Sequence, residues 1–312
     1  MAAGCGGGGG AANVTLLLDF TPNANHAGIF SAVARRYDRG EGVRLAVRTP
    51  ADSAEALKLL AAGRADLSVL DIHDLALARE HGADIVGVAA LVQRPLASVI
   101  AARGVGSPRA LEGRRVGVTG VPSDDAVLRS TVRGAGGDPA RVRTVTIGFN
   151  AVAGLLAGRV AAATAFWNIE GVALARKGSG FHPFKVDDYG APSYPELVVA
   201  VTRSTFAHRP DMIRRVLRAL ARGYVFAVEN PARSAADIAR AQPGLDRPLV
   251  ETELRTTMPT FLRANRRWGQ LDPATLRAWA EWEARFAIVR RPPEVPRAFD
   301  GRLVPRGPTA PG

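Results

Sequence analysis

Val14, Leu16, Leu17 and Leu18 form a short apolar run, and a polar elbow from Asp19 to Asn25 follows it directly. A run of that length fits a strand covered on both faces. Asp19 and Phe20 fall where such a strand ends, Pro22 with Asn23 and Asn25 turns the chain, and Ala27 to Arg36 resumes at helical spacing. Free backbone N–H groups at that helix start would face the strand end, and in open α/β sheets ligands bind outside the carboxyl ends of strands. Read locally, Asp19 and Asn23 serve equally well as helix caps and Phe20 as core. The alternation at Val43, Leu45 and Val47 predicts a strand over 43–49, and 53–62 reads as a helix ended by Gly63. Strands follow at 67–70 and 85–91, the first leaving Asp71, His73 and Asp74 at its carboxyl end before a helix through 76–80, the second leaving Gln93 just beyond. Strand alternating with helix predicts a doubly wound, parallel α/β sheet.

The same rhythm restarts after Ser107, with strands at 116–119, 142–147 and 161–166 and helices from the 120–125 loop to Arg133 and over 152–157. Gly120 and Ser123 at a helix start suit an anionic or carbonyl oxygen as well as they suit a plain N-cap. Trp167, Asn168 and Glu170 close the third strand, so a stacking face, an amide and a carboxylate emerge together. Tyr189 and Tyr194 stand in a loop with Pro192 and Pro195, a setting that favours a pocket wall over core. The apolar stretches at 98–103 and 197–202 read as two crossings between lobes, a two-strand hinge. That reading divides the chain into a tether at 1–12, lobe 1 at 13–100, lobe 2 at 101–199, and a second, mostly helical part of lobe 1 at 200–312. Helices are expected at 211–230, 232–241, 251–262 and 273–287, with Trp268, Trp279 and Trp282 as packing and a Pro-rich tail from Arg291 lying over the surface.

Composition narrows the function classes. With 312 residues, 47% of them hydrophobic, the chain can bury one large core or two medium ones. No apolar run approaches the ~18–20 residues of a membrane-spanning helix. A net charge of +12 raises nucleic acid as a partner, yet the arginines are scattered through every segment and no basic-aromatic cluster accompanies them, so nucleic-acid binding is not expected. The histidines His26, His73, His81, His182 and His208 show no paired ligand spacing, so no metal is expected, and no Walker loop or GxSxG motif is present. Cys5, the only cysteine, follows Ala-Gly in a glycine-rich start that resembles the end of a bacterial lipobox, which makes it the expected lipid-attachment site of a chain held outside the cytoplasmic membrane.

Several segments resemble one family, the solute-binding proteins of ABC importers that carry thiamine pyrimidine precursors. LDFTPNANHAG matches its L-D-W-x-P-N-x-x-H-x-G opening, with Phe20 in place of Trp. LKLLAAGRADLSV, ALVQRPLASVIA, SPRALEGRRVGVTG, FWNIEGVAL, DYGAPSYPEL, ALARGYVFAVENP and RWGQLDP match further family segments along most of the chain. The resemblance implies a type II periplasmic-binding-protein fold, a monomer working with a permease and an ATPase, no cofactor, and a flat, nitrogen-rich ligand such as formylaminopyrimidine or hydroxymethylpyrimidine. Carboxylates accept from amino groups and rings stack, so Asp19 and Glu170 are expected to recognise the ligand, with Phe20, Trp167 and Tyr189 or Tyr194 stacking. Asn23, Ser123, Asn168, Asp71 and Gln93 are secondary candidates.

The LDIHD stretch departs from the aromatic and acidic S-Y-E-P usual in the family after the third strand, so riboflavin, a sulfonate or another small heterocycle stands as the alternative ligand. A cytoplasmic ligand-sensing domain is a third class. Enzymes of the same superfamily make a thiamine pyrimidine phosphate from PLP and one of their own histidines, using a Schiff-base lysine and a histidine four residues on. Leu70 and Asp74 stand at those positions here and no cysteine cluster exists, so the chain is not expected to be an enzyme.

Overall fold

The computed structural model describes residues 11–51, 53–178 and 180–306; Cys5 and the lipid attachment expected there lie outside them. Apolar runs and alternation become two five-stranded sheets. The first contains β1 (Ala12–Leu17), β2 (Val43–Arg48), β3 (Leu67–Asp71) and β4 (Ile85–Ala90), joined by β10 (Leu197–Thr202) in the order β2-β1-β3-β10-β4. The second contains β5 (Ala97–Ala101), β6 (Arg115–Val118), β7 (Arg143–Thr146), β8 (Ala162–Phe166) and β9 (His182–Lys185) in the order β7-β6-β8-β5-β9.

The strand and helix rhythm predicted parallel sheets, but neither sheet is wholly parallel. β1 runs parallel to β2 and β3, and β6 parallel to β7 and β8, but β10 runs antiparallel to β3 and β4 and β5 antiparallel to β8 and β9. The cause is the double crossing. A chain that leaves one sheet at a strand's carboxyl end enters the other from the same side and must run back. Leu197, the first residue of β10, accordingly lies opposite Asp71, the last of β3, and Ala97, the first of β5, opposite Phe166, the last of β8. Parallel strand ends and both entry points therefore meet at one cleft. Because all of β5 belongs to the second sheet and all of β10 to the first, the crossings are the short segments 91–96 and 190–196 rather than the strands themselves.

The first core forms around Leu16, Leu18, Val69 and Val199 under the amphipathic helix Pro210–Glu229. That helix approaches Ala27–Ala34 closely because two glycines face each other: a Cβ on Gly223 would lie 2.0 Å from the Gly28 carbonyl oxygen, and one on Gly28 2.3 Å from the Tyr224 ring. The Tyr224 hydroxyl donates to the Asn25 carbonyl at 2.7 Å, tying the elbow after β1 to the helix behind it.

Other features depart from the sequence-based expectation. The helix after β3 begins at Ile72, capped by Asp71, and unanticipated helices occupy Glu170–Lys177 and Arg203–His208. The tail does not lie on the surface. Val295, Ala298, Phe299, Leu303 and Val304 are buried, and Phe299 bridges to Gly87 of β4, so this Pro-rich segment covers an outer strand of the first sheet. Trp268, Trp279 and Trp282 are buried in the core as expected. Among the described residues, no helix is long and apolar enough to cross a membrane.

Candidate functional site

A cavity of about 150 Å³ opens where the two sheets meet. Space of roughly that size has held one benzene-like ring in an engineered apolar cavity. Asp19, Phe20, Asn23 and Asp71 line it from the first sheet, and Ser123 and Glu170 from the second. All six were expected at a binding site, and the topology explains why they converge: each lies at a strand's carboxyl end or just beyond, in the turn or first helical turn that follows.

On the first wall, Asn23 caps a single 3-10 turn at Ala24–His26, and its backbone N–H donates to His26 Nδ1 at 3.2 Å. With Nδ1 accepting, the ring carries its proton on Nε2, which donates to Asp19 Oδ1 at 2.7 Å. The motif PNANH thus holds the Asp19 carboxylate in place from behind. Phe20 packs against Phe149 of the opposite wall with ring centroids 4.9 Å apart, so one aromatic pair spans the cleft. Phe149 is 61% exposed. No local pattern in the sequence marks it, because its role depends on its facing Phe20 across the cleft.

Beside Asp19 lies a group of acids around one histidine. Asp71, His73, Asp74 and Glu196 all line the cavity. His73 Nδ1 bonds Glu283 of the helix Pro273–Arg285, and Nε2 stands 3.3 Å from the Tyr194 hydroxyl and 3.7 Å from Glu196 Oε1. Although burial opposes its charge, Glu283 and Asp71 hold the His73 imidazolium up to about 10. Burial, reinforced by the neighbouring Asp71, pushes Asp74 up to about 7 and Glu196 up to about 8. Glu196 Oε2 accepts the backbone N–H of Leu96 and, at 2.9 Å, of Ala97, so a residue at the end of one crossing pins the end of the other. Glu196 Oε1 accepts no hydrogen bond. Asp71, His73 and Glu196 bring potential ligating atoms within 4.8 Å of one another, a constellation that chain spacing did not reveal.

On the second wall, Asp124 accepts the Thr119 backbone N–H at 2.6 Å and closes the turn after β6, which leaves Ser123 in the first helical turn rather than at the N-cap, held by Val121. Glu170 accepts the Phe166 N–H at 3.1 Å, and burial raises its carboxyl above the usual range.

Five expected residues are not among those lining the cavity. The Trp167 indole donates to the Pro95 carbonyl at 3.0 Å, and Lys185 lies 4.2 Å over its ring, so it braces the crossing. Asn168 is fully buried, donating at 2.7 Å to both Asn25 Oδ1 and Thr257, and joins the second sheet to the first-sheet helices. Gln93 accepts from Arg263 at 3.2 Å. Tyr189 meets Phe184 edge-on, and Tyr194 is fully buried between His73 and Trp282. Proline neighbours marked these tyrosines as loop residues without showing that the loop folds inward. Glu196, the most consequential residue that was missed, carries no local signal beyond its place in DYGAPSYPEL.

Known proteins agree with this architecture. A formylaminopyrimidine-binding protein of Halalkalibacterium halodurans is 30% identical over 76% of this chain and 73% of its own length. A 4-amino-5-hydroxymethyl-2-methylpyrimidine phosphate synthase of Legionella pneumophila is 25% identical over 84% of this chain and 85% of its own. The periplasmic aliphatic sulphonate binding protein SsuA of Escherichia coli superposes with a TM-score of 0.75 at 16% identity, covering 95% of this chain and 94% of that one. The two mixed sheets are therefore those of the type II periplasmic-binding-protein fold, as the sequence motifs implied. The family described as "NMT1/THI5 like" matches residues 23–234, and the chain belongs to it.

Proposed function

We propose that this chain is the extracytoplasmic solute-binding component of an ABC importer, tethered through Cys5, and that it binds a thiamine pyrimidine precursor, formylaminopyrimidine or hydroxymethylpyrimidine, between its two lobes without altering it. The observation that carries this reading is a ring-sized cavity walled by carboxylates and by the Phe20–Phe149 pair. An aminopyrimidine presents amino donors to carboxylates and flat faces to rings. The name of the Halalkalibacterium relative supports the same ligand class.

Two neighbouring readings fit less well. A sulfonate needs cationic partners, and among the residues lining the cavity there is neither lysine nor arginine. The synthase chemistry named for the Legionella relative depends, in the superfamily, on a Schiff-base lysine; the lysines here are Lys58, Lys177 and Lys185, and none lines the cavity.

A thermal-shift panel of pyrimidine precursors, thiamine, flavins and alkanesulfonates tests the proposal. Pyrimidine precursors should raise the melting temperature and sulfonates leave it unchanged; the reverse ranking would end the pyrimidine reading. Glu170→Ala should abolish the ligand-induced shift while the unliganded protein melts within a few degrees of the parent. An unchanged shift in that variant would remove Glu170 from the site.

A further inference from the structure

The cavity is acidic far beyond what this chain's composition would produce by chance. In a protein of net charge +12, Asp19, Asp71, Asp74, Asp124, Glu170 and Glu196 all line one small space, and no lysine or arginine lines it with them. Five of these accept hydrogen bonds from the protein: Asp19 from His26, Asp124 from Thr119, Glu170 from the Phe166 N–H, Asp71 from the His73 N–H, and Glu196, through Oε2 only, from Leu96 and Ala97. Asp71, Asp74 and Glu196, with Glu283 behind them, nevertheless share a single neighbouring cation, His73. Glu196 Oε1 is fully buried and accepts no hydrogen bond. Carboxylates buried in this excess are costly unless protonated or neutralised.

We infer that the cavity takes its heterocycle as a cation, with a primary ammonium group seated against Asp71, Asp74 and Glu196. This rests on the reading above that the ligand is a pyrimidine precursor and orders that class: the pyrimidine carrying a free aminomethyl group binds more tightly than the formylated and hydroxylated ones named there. An ammonium supplies three donors and a full charge, which suits three carboxyls that have one imidazolium among them. A divalent metal suits the same oxygens less well, because both His73 nitrogens are already directed at protein groups, Nδ1 at Glu283 and Nε2 at Tyr194 and Glu196.

The consequence is a change in bound protons. In the unliganded protein Asp74 and Glu196, held up to about 7 and about 8, carry part of the neutralising charge as protons. An ammonium beside them favours their ionised forms, so binding expels protons, and affinity rises with pH until the amine itself is deprotonated. The charged and titratable groups facing this point are Asp19, His26, Asp71, His73, Asp74, Tyr194, Glu196 and Glu283.

Isothermal titration of the full chain with the aminomethyl, formylaminomethyl and hydroxymethyl pyrimidines, at neutral pH in phosphate and in Tris, tests this. The amine should bind at least about tenfold tighter than the other two, and its heat should differ between the buffers in the direction of proton release. Asp74→Asn should remove most of that preference and of the released proton while still binding the formylated pyrimidine. Glu196→Gln, which keeps an acceptor for the Leu96 and Ala97 N–H groups, is the second variant and should behave alike. Equal binding of all three without buffer dependence would overturn the inference and leave the pyrimidine reading standing. Binding of none would end both. Stoichiometric binding of Zn²⁺ alone, with no binding of the amine, would replace the ammonium site by a metal site.

Discussion

A hydrogen in place of a methyl at Gly223 decides how closely the Pro210–Glu229 helix can approach the elbow after β1. Since the added Cβ would lie 2.0 Å from the Gly28 carbonyl oxygen, which is backbone and cannot rotate away, Gly223→Ala should cost about 1–3 kcal/mol or more. Urea denaturation would measure it, and because Tyr224 ties that helix to Asn25, ligand affinity should fall with stability. The buried acids give a second residue-scale prediction. Asp74 rises from 3.8 to about 7, Glu196 from 4.5 to about 8 and His73 from 6.5 to about 10, so each keeps its proton in the folded chain to a higher pH than in the unfolded one. The folded state then binds more protons across the interval from about pH 4 to 10, and stability falls as pH rises through it, by at most about 1.4 kcal/mol per unit for each titrating group. Melting curves of the unliganded protein between pH 5 and 9 should show that decline, and Glu196→Gln should flatten it. The lining positions of Asp19, Phe20 and Glu170 were legible because each stands at a strand end that its own neighbours define. The partners of Glu196 and His73 were not, since they lie 100 and 210 residues away and come together only in space.

At the scale of elements, order and type were legible wherever an apolar run stood between turn residues, as in β1, β4 and β10. Direction was not. β5 and β10 have the composition of the parallel strands beside them, and only the crossing requires them to run backward. The tail misleads for another reason: Pro292, Pro293 and Pro296 punctuate it like a linker, yet its apolar residues have an outer strand of the first sheet to cover. Phe299 is 6% exposed and packs edge-on to Trp279, and a Cβ on Gly87 would come within 2.6 Å of its ring. Phe299→Ala should therefore cost about 3–5 kcal/mol in chemical denaturation, as for a ring removed from a packed core. A loss below about 1 kcal/mol, the range of surface substitutions, would return the tail to the surface.

For the whole molecule, contacts between the two halves include the paired crossings pinned by Glu196, the buried Asn168–Asn25 bond, the exposed Arg176–Asp246 ion pair and the exposed Phe20–Phe149 pair at the cavity. The first two are buried and bonded, whereas the ion pair and the aromatic pair are exposed and can part at small cost; of these only the aromatic pair stands at the cavity. A ligand entering between the lobes would have to pass or displace it, and a ligand already inside would be retained by it. Phe149→Ala removes that contact from a residue 61% exposed, so stability should fall by no more than the pair itself contributes, about 0.5–1.5 kcal/mol. Ligand release should accelerate, by about tenfold if the ring contributes the ~1.4 kcal/mol of an aromatic pair. Association should change much less, because contacts formed after encounter act chiefly on the off-rate. Stopped-flow displacement separates the two rates. A variant that released ligand at the parental rate would show that the aromatic pair does not retain it.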